Sequence, residues 1–272
     1  MTTQAVILAR GLGTRMRRSD GTTLGEAERA AADAGLKAMM PVGAGARPFL
    51  DYVLSSLADA GITEVVLVVA PEHAAIRAQY TGDGAPRRLA LRLAVQDQPR
   101  GTADAVYAAR DALRAAPFLV LNGDNLYSAA ALRAAAALGA NGLVAYEAEA
   151  LARESGIERE RILRYALIDI APGDTLRAIR EKPAADDPLA LAPTRWVSMN
   201  LWSFTPLIFA ACERVRPSPR GELELQDAVT TAMRDLGARF GVAYGSGPVL
   251  DLSQRADVAI VRDRLAGTDA RP

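Results

Sequence analysis

The chain has 272 residues, 50% of them hydrophobic and 24% charged, with 32 Lys and Arg against 32 Asp and Glu. That balance supports a sizeable core and excludes disorder, and a formal net charge of +0 leaves no basic footprint for nucleic acid or an anionic membrane. A lone cysteine, Cys212, and a lone histidine, His73, exclude both a disulfide framework and a Cys/His zinc cage.

The chain opens on an apolar stretch, Ala5 to Ala9, that is too short and too poor in basic flanks for a secretory signal. No apolar run approaches the ~18 residues of a membrane span, so a cytoplasmic protein is expected. In the first half, short β-branched runs alternate with longer Ala-, Leu- and Arg-rich stretches. Strands are predicted over Ala5–Leu8, Glu64–Val69, Leu89–Val95, Phe118–Leu121 and Gly142–Tyr146. Helices are predicted over about Phe49–Ala60, Glu72–Tyr80, Thr102–Ala115 and Ala129–Leu138. Apolar strands each followed by a helix imply an α/β fold, with a Rossmann-like, mainly parallel sheet covered on both faces. Ligands of such sheets bind beyond the carboxyl ends of the strands.

Between the first strand and the next motif, Ser19 to Gly35 is a long insertion with a short helical reading over Glu26–Ala34; loops of this length are usually functional or mobile. The second half is less regular and β-rich. Arg164–Ile170 and Thr175–Arg180 flank the turn Ala171-Pro-Gly-Asp174 and read as a hairpin. Arg195–Phe204 is strand-like, Thr205-Pro206 reads as a cap and first-turn proline for a helix, and Glu222–Leu236 is a longer helix before a strand at Arg239–Tyr244. With no repeat or Pro/Ser linker, residues 1–272 are taken as one unit.

The first strand runs into Gly11-Leu-Gly13-Thr14-Arg15, where two glycines expose backbone N–H groups and Thr14 and Arg15 add donors. Such a turn can wrap a polyphosphate. It is neither the dinucleotide fingerprint, since Met16 stands at the third glycine position, nor a Walker A loop, which needs Gly-Lys-Ser/Thr. Further on come Leu36-Lys37-Ala-Met-Met-Pro41, Gln96-Asp-Gln-Pro-Arg-Gly101-Thr102-Ala-Asp104, Leu119-Val-Leu-Asn-Gly123-Asp124, Glu181-Lys182-Pro183, Gly221-Glu-Leu-Glu-Leu-Gln-Asp227 and Val249-Leu-Asp251. Taken singly, each has an ordinary explanation: a turn glycine, a strand-end cap, a strand stopped by proline.

In order and spacing together, these motifs resemble the sugar-1-phosphate nucleotidylyltransferases, over nearly the whole chain from Ala5 to about Val258. The resemblance implies a nucleotide-diphospho-sugar transferase fold, with a nucleotide-binding half of about residues 1–145 and a sugar-binding half of about 146–272. It also implies transfer of a nucleotidyl group from a nucleoside triphosphate to a sugar 1-phosphate, with release of pyrophosphate. On this resemblance, Leu8, Gly11, Gly13 and Thr14 hold the nucleotide and Arg15 the departing pyrophosphate. Lys37 bears on the α-phosphate, and Gln96, Gly101 and Thr102 face the base. Glu181 and Asn200 are placed at the sugar and Lys182 at its phosphate. Asp124 and Asp251 are placed as ligands of Mg²⁺, an ion content with two carboxylates, waters and substrate phosphates. Catalysis is then mainly positioning and charge neutralisation, by Arg15, Lys37 and Asp124.

Several positions depart from the family pattern. Arg10 replaces a small residue beside the turn, and 22 positions separate Arg15 from Lys37, about twice the usual spacing, which makes the insertion a lid or a subunit contact. Ala166, Ser198 and Asn200 stand where the sugar pocket usually carries glycine or another polar pattern. Phosphocholine or another small phosphate is therefore an alternative acceptor, and a catalytically silent nucleotide-sugar sensor is the reading from another class. Gln96, able to donate and accept at a pyrimidine edge, favours UTP or dTTP. His73 is read as a surface residue at a helix start, and Trp196 and Trp202 as core residues on one strand face. A homo-oligomer is compatible with the sequence, and neither nucleic acid nor membrane is an expected partner.

Overall fold

The computed structural model describes residues 1–82 and 84–272. A nine-stranded sheet runs through both halves of the chain. Its strands are β1 (Gln4–Leu8), β2 (Glu64–Val69), β3 (Ala90–Val95), β4 (Phe118–Asn122), β5 (Gly142–Glu147), β6 (Ala166–Ala171), β7 (Thr175–Glu181), β8 (Trp196–Phe204) and β9 (Gly241–Tyr244). Their spatial order is β3-β2-β1-β4-β8-β5-β9-β7-β6.

The side-chain period of two sorts each strand onto two faces. Ala5, Ile7, Val65, Leu67, Leu119 and Leu121 pack on one side, against helices Phe49–Asp59 and Ala129–Leu138. Val6, Val66, Val68, Phe118 and Val120 pack on the other, against Thr102–Ala108, Leu207–Cys212 and Leu225–Asp235. Strands β3, β2, β1 and β4 are parallel, as expected. The rest is mixed: β8 is antiparallel to β4, β5 and β6, and the β6–β7 hairpin is antiparallel at the far edge.

Strand β8 ties the halves together by changing partners along its length. Its first residues lie between β5 and β6, its last between β4 and β5. The register shifts between Ser198 and Trp202, where Asn200 adopts φ 60°, a left-handed conformation that asparagine tolerates better than most residues. Trp202 is fully buried and Trp196 packs on the same layer against Tyr244, with ring centroids 4.9 Å apart, so both serve the core.

Some elements differ from expectation. The helix at Thr102 ends at Ala108 and gives way to a tight turn over Arg110–Ala112. Thr205 does not cap the helix after it; its hydroxyl donates to Asn141 Oδ1 at 3.2 Å, and the helix begins at Leu207. Helices Ala148–Ser155 and Arg255–Leu265 have no counterpart in the sequence reading. Both are rich in charge on their exposed faces, which masks the apolar stripe formed by Ala148, Leu151 and Ala152 and by Val258, Val261 and Leu265. The insertion helix, Glu26–Asp33, packs onto the body. Arg255, itself buried, donates to the Met16 carbonyl at 2.9 Å and pairs with Asp33 at 2.5 Å, and Arg262 pairs with Glu28 at 3.3 Å. The segment therefore braces the turn after β1.

Candidate active site

A cavity of ≈ 390 Å³ opens beyond the carboxyl ends of β1, β3 and β4, within the size range of small-molecule sites, about 300–1,000 Å³. The strand-end rule places it, and the turns after the strands furnish it. Leu8, Gly11, Gly13, Thr14, Arg15, Lys37, Gln96, Gly101, Thr102 and Asp124 all line it.

The turn after β1 is shaped by a close backbone approach. Gly13 has φ 60°, and a Cβ there would sit 2.5 Å from the Gly35 carbonyl oxygen. Gly35 also has positive φ, so the end of the insertion lies directly on the glycine turn, and only glycine fits on both sides. Gly13 leads into a single helical turn, Thr14–Arg17, which carries the exposed Thr14 and Arg15.

Lys37, on a tight turn after the insertion, reaches the end of β4. Its Nζ donates to Asp124 Oδ2 at 2.8 Å, and both side chains keep an exposed face, 16% and 26%. A cation and a carboxylate thus stand as a pair on the wall of the cavity that the glycine turn also lines.

Toward the other end of the cavity, Gly101 has φ 124°, and a Cβ there would lie 2.5 Å from the Leu223 carbonyl oxygen. Here the loop after β3 is laced to the start of helix Leu225–Asp235: Ala103 N–H donates to the Leu223 carbonyl, Leu223 N–H to the Arg100 carbonyl, and Leu225 N–H to the Thr102 hydroxyl at 2.9 Å. The Gln96 amide nitrogen donates to the Gly101 carbonyl at 3.0 Å and to Asp104 Oδ2 at 2.8 Å. Arg10 and His73, absent from the expected site, are among the other residues that line the cavity. His73 is therefore more than a surface residue, and burial lowers its imidazole pKa below the ordinary value. Arg10 stands out in the sequence only as a departure beside the turn, and His73 not at all, because only the fold carries the start of helix Ala74–Thr81 over the cavity.

The four remaining site candidates lie elsewhere. Glu181 and Asn200 are joined by Gln226, whose amide nitrogen donates to Glu181 Oε2 and to Asn200 Oδ1, both at 3.1 Å. The Trp202 indole N–H also donates to Asn200 Oδ1 at 3.3 Å. Burial raises the Glu181 carboxyl pKa, opposed by Lys182 and Arg220 nearby. Lys182 has φ 46° and its ammonium lies 3.8 Å from Glu181. Gln226 has no role in the sequence reading, although it lies inside the Gly221–Asp227 motif.

Asp124 and Asp251 do meet through the backbone. Asp251 pairs in register with Asn125, and Leu252 N–H donates to the Asp124 carbonyl at 2.8 Å. Their side chains diverge in environment. Asp251 Oδ2 accepts from Arg161 at 2.9 Å and Tyr165 at 2.8 Å, and its Oδ1 accepts from Ser253 at 2.6 Å. Arg161 also pairs with Asp257 at 2.6 Å, and all three charged side chains are buried. Burial and the Asp124 charge raise the Asp251 carboxyl pKa. Asp251 is not among the residues lining the cavity, so of the two aspartates only Asp124 faces it. Among the described residues no group of three or more His, Cys, Asp or Glu side chains converges as a metal cage. One carboxylate together with substrate phosphates and water is a sufficient magnesium site, and Asp124, at the cavity wall, fits that description; the Asp251 oxygens are engaged by Arg161, Tyr165 and Ser253.

Among the described residues no helix is long and apolar enough to cross a membrane. The family model described as nucleotidyl transferase matches residues 4–242. The low-salt glycan biosynthesis nucleotidyltransferase of Haloferax volcanii is 27% identical over 232 residues, covering 85% of this chain and 57% of that protein. The UTP–glucose-1-phosphate uridylyltransferase AglF of the same organism is 27% identical over 262 residues, covering 96% of both chains. In three dimensions, a UDP-glucose pyrophosphorylase solved with UDP-glucose superposes with a TM-score of 0.75 at 18% identity, over 97% of this chain and 98% of that one. The expected kinship and fold are borne out, and the chain belongs to the nucleotidyl transferase family.

Proposed function

We propose that this protein transfers a nucleotidyl group from a nucleoside triphosphate, UTP or dTTP in the first place, to a sugar 1-phosphate, and that it works in the cytoplasm. The observation that carries this reading is the Lys37–Asp124 pair lining one cavity together with the Gly11–Arg15 turn. The names of the relatives point the same way. A phosphate oxygen of the sugar phosphate attacks the α-phosphorus, the bond to the β-phosphate oxygen breaks, and pyrophosphate leaves with that electron pair. No covalent intermediate on the protein is needed, and none of the cavity residues has to act as a nucleophile.

Each side chain then has a positional task. The turn N–H groups and Thr14 hold the triphosphate, and Arg15 neutralises the β- and γ-phosphates as they depart. Lys37 supplies positive charge at the α-phosphate where the transition state spreads negative charge. Asp124 would hold a magnesium ion, which when bound neutralises and orients phosphate oxygens. The cluster of Glu181, Asn200 and Gln226 offers the carboxylate and amide groups that sugar hydroxyls require, and Lys182 beside it would take the sugar phosphate.

Pyrophosphate release, followed with UTP or dTTP and a panel of sugar 1-phosphates, tests the reading. Release that requires both substrates supports it. Release with phosphocholine and no sugar 1-phosphate would move the acceptor to the alternative class, and no release with tight binding of a nucleotide sugar would make the protein a sensor.

A further inference from the structure

We propose that Arg10 selects the nucleobase, forming with Gln96 a donor–acceptor pair that takes a base whose carbonyl stands beside a ring N–H and disfavours an amino-substituted edge. This rests on the nucleotidyl-transfer reading above and deepens it. Uracil, thymine and guanine present the favoured edge; cytosine and adenine present the reverse.

The first observation is the state of the Arg10 guanidinium. Its residue is only 6% exposed, yet Nη1 has no hydrogen-bond partner. The other contacts are long, with Nε donating to the Gln96 carbonyl at 3.3 Å and Nη2 to the Asp97 carbonyl at 3.5 Å. A desolvated guanidinium with an orphan N–H is costly, and every buried polar group of this kind calls for a partner. Arg10 lines the cavity, and its Nη1 N–H groups are left for a partner there.

The second observation is independent and concerns Gln96. Both hydrogens of its amide nitrogen are committed, to the Gly101 carbonyl and to Asp104. Flipping the amide would set its oxygen against a carbonyl and a carboxylate, so the network fixes the orientation. Among the described residues nothing donates to Oε1. Gln96 is thus an acceptor toward the cavity and not the two-way reader expected of a free glutamine. An acceptor suits the ring N–H of an imide or lactam edge, and the adjacent carbonyl then needs a donor, which Arg10 supplies.

Location separates this role from a phosphate contact. In the sheet, β3 lies two strands from β1, on the side away from β4. Arg10 reaches from the end of β1 to the carbonyls after β3, whereas Lys37 and Asp124 stand at the end of β4. With strands about 4.8 Å apart, the guanidinium is drawn toward the Gln96 end and away from the phosphate pair.

The test is calorimetric binding of UTP, CTP, GTP and ATP to the wild-type protein and to Arg10→Met, which keeps the side-chain volume without its donors. UTP and CTP form a matched pair, identical in phosphates and sugar. Wild type is expected to bind UTP more tightly than CTP and GTP more tightly than ATP. Loss of a charge-assisted hydrogen bond should weaken UTP about 10- to 100-fold in Arg10→Met without weakening CTP, and so narrow the preference to what Gln96 alone supplies. Equal weakening of UTP and CTP, or no weakening of UTP, overturns the assignment of Arg10 while leaving the nucleotidyl-transfer reading intact. A wild-type protein that binds no triphosphate overturns that underlying reading as well. Where Arg10→Met melts far below wild type, Arg10→Leu, which also lacks donors, serves the same comparison.

Discussion

Lys37 Nζ and Asp124 Oδ2 lie 2.8 Å apart, joining the turn that follows the insertion to the end of β4. Each charge keeps the other compensated, so the cavity wall holds a cation and an anion side by side without stranding either. Lys37→Ala and Asp124→Ala should each lower turnover by ~10² to 10³ while the far-ultraviolet circular dichroism spectrum stays that of wild type. Turnover within a few-fold of wild type in either variant would remove that residue from the mechanism.

The buried Arg161 network predicts a stability effect of a different kind. Arg161→Met leaves Asp251 and Asp257 without their shared cation, in side chains that are only 4% and 5% exposed. Removing one partner of such a cluster typically costs about 3–5 kcal/mol. Urea unfolding should show that loss as a lower midpoint with an unchanged slope. A midpoint close to wild type would mean that Asp251 is not held as described.

Gly101→Ala should harm both folding and base binding. Its φ of 124° is unfavourable for any side chain, and the added methyl would meet the Leu223 backbone at 2.5 Å. We expect a loss of at least ~1–3 kcal/mol in thermal unfolding. Gly11→Ala is the control, since a Cβ there meets nothing within 4 Å; equal effects of the two would contradict the close-approach explanation.

His73 is the sole histidine, so one imidazole proton resonance reports its titration directly. Burial lowers its pKa from 6.5. The unfolded chain therefore binds more protons than the folded one between the two pKa values. Stability contributed by neutral His73 is complete above the unfolded value and is lost as pH falls through the folded one. The NMR midpoint should lie below 6.5, and the dependence of melting temperature on pH in that window should flatten in His73→Gln. A midpoint at or above the free value would contradict the burial assigned to it.

The parts of this account that a sequence can carry are those encoded locally. The strand at Glu64–Val69 and the helix at Ala129–Leu138 have the expected bounds because apolar runs and a terminal glycine specify them within a few residues. The phosphate turn and Lys37 could be placed in one site because their motif order is distinctive. Asp251 is the instructive counterexample. Its backbone pairs beside Asp124 as the motif implies, but its side chain answers to Arg161, Tyr165 and Ser253. Arg161 is 90 positions away, and no local pattern announces the contact. Likewise, Gln96 looks like a two-way base reader until Asp104 and the Gly101 carbonyl are seen to take its donors. The mixed half of the sheet was hidden for a similar reason, since strand β8 changes partners at Asn200, a single residue in a left-handed conformation.

The most direct test of the central claim is pyrophosphate release from UTP and a sugar 1-phosphate by wild type and Asp124→Ala, with and without Mg²⁺. The account predicts release from wild type only when Mg²⁺ and both substrates are present, and its near-complete loss in Asp124→Ala. Release undiminished by the Asp124 substitution, or by removal of the cation, would contradict it.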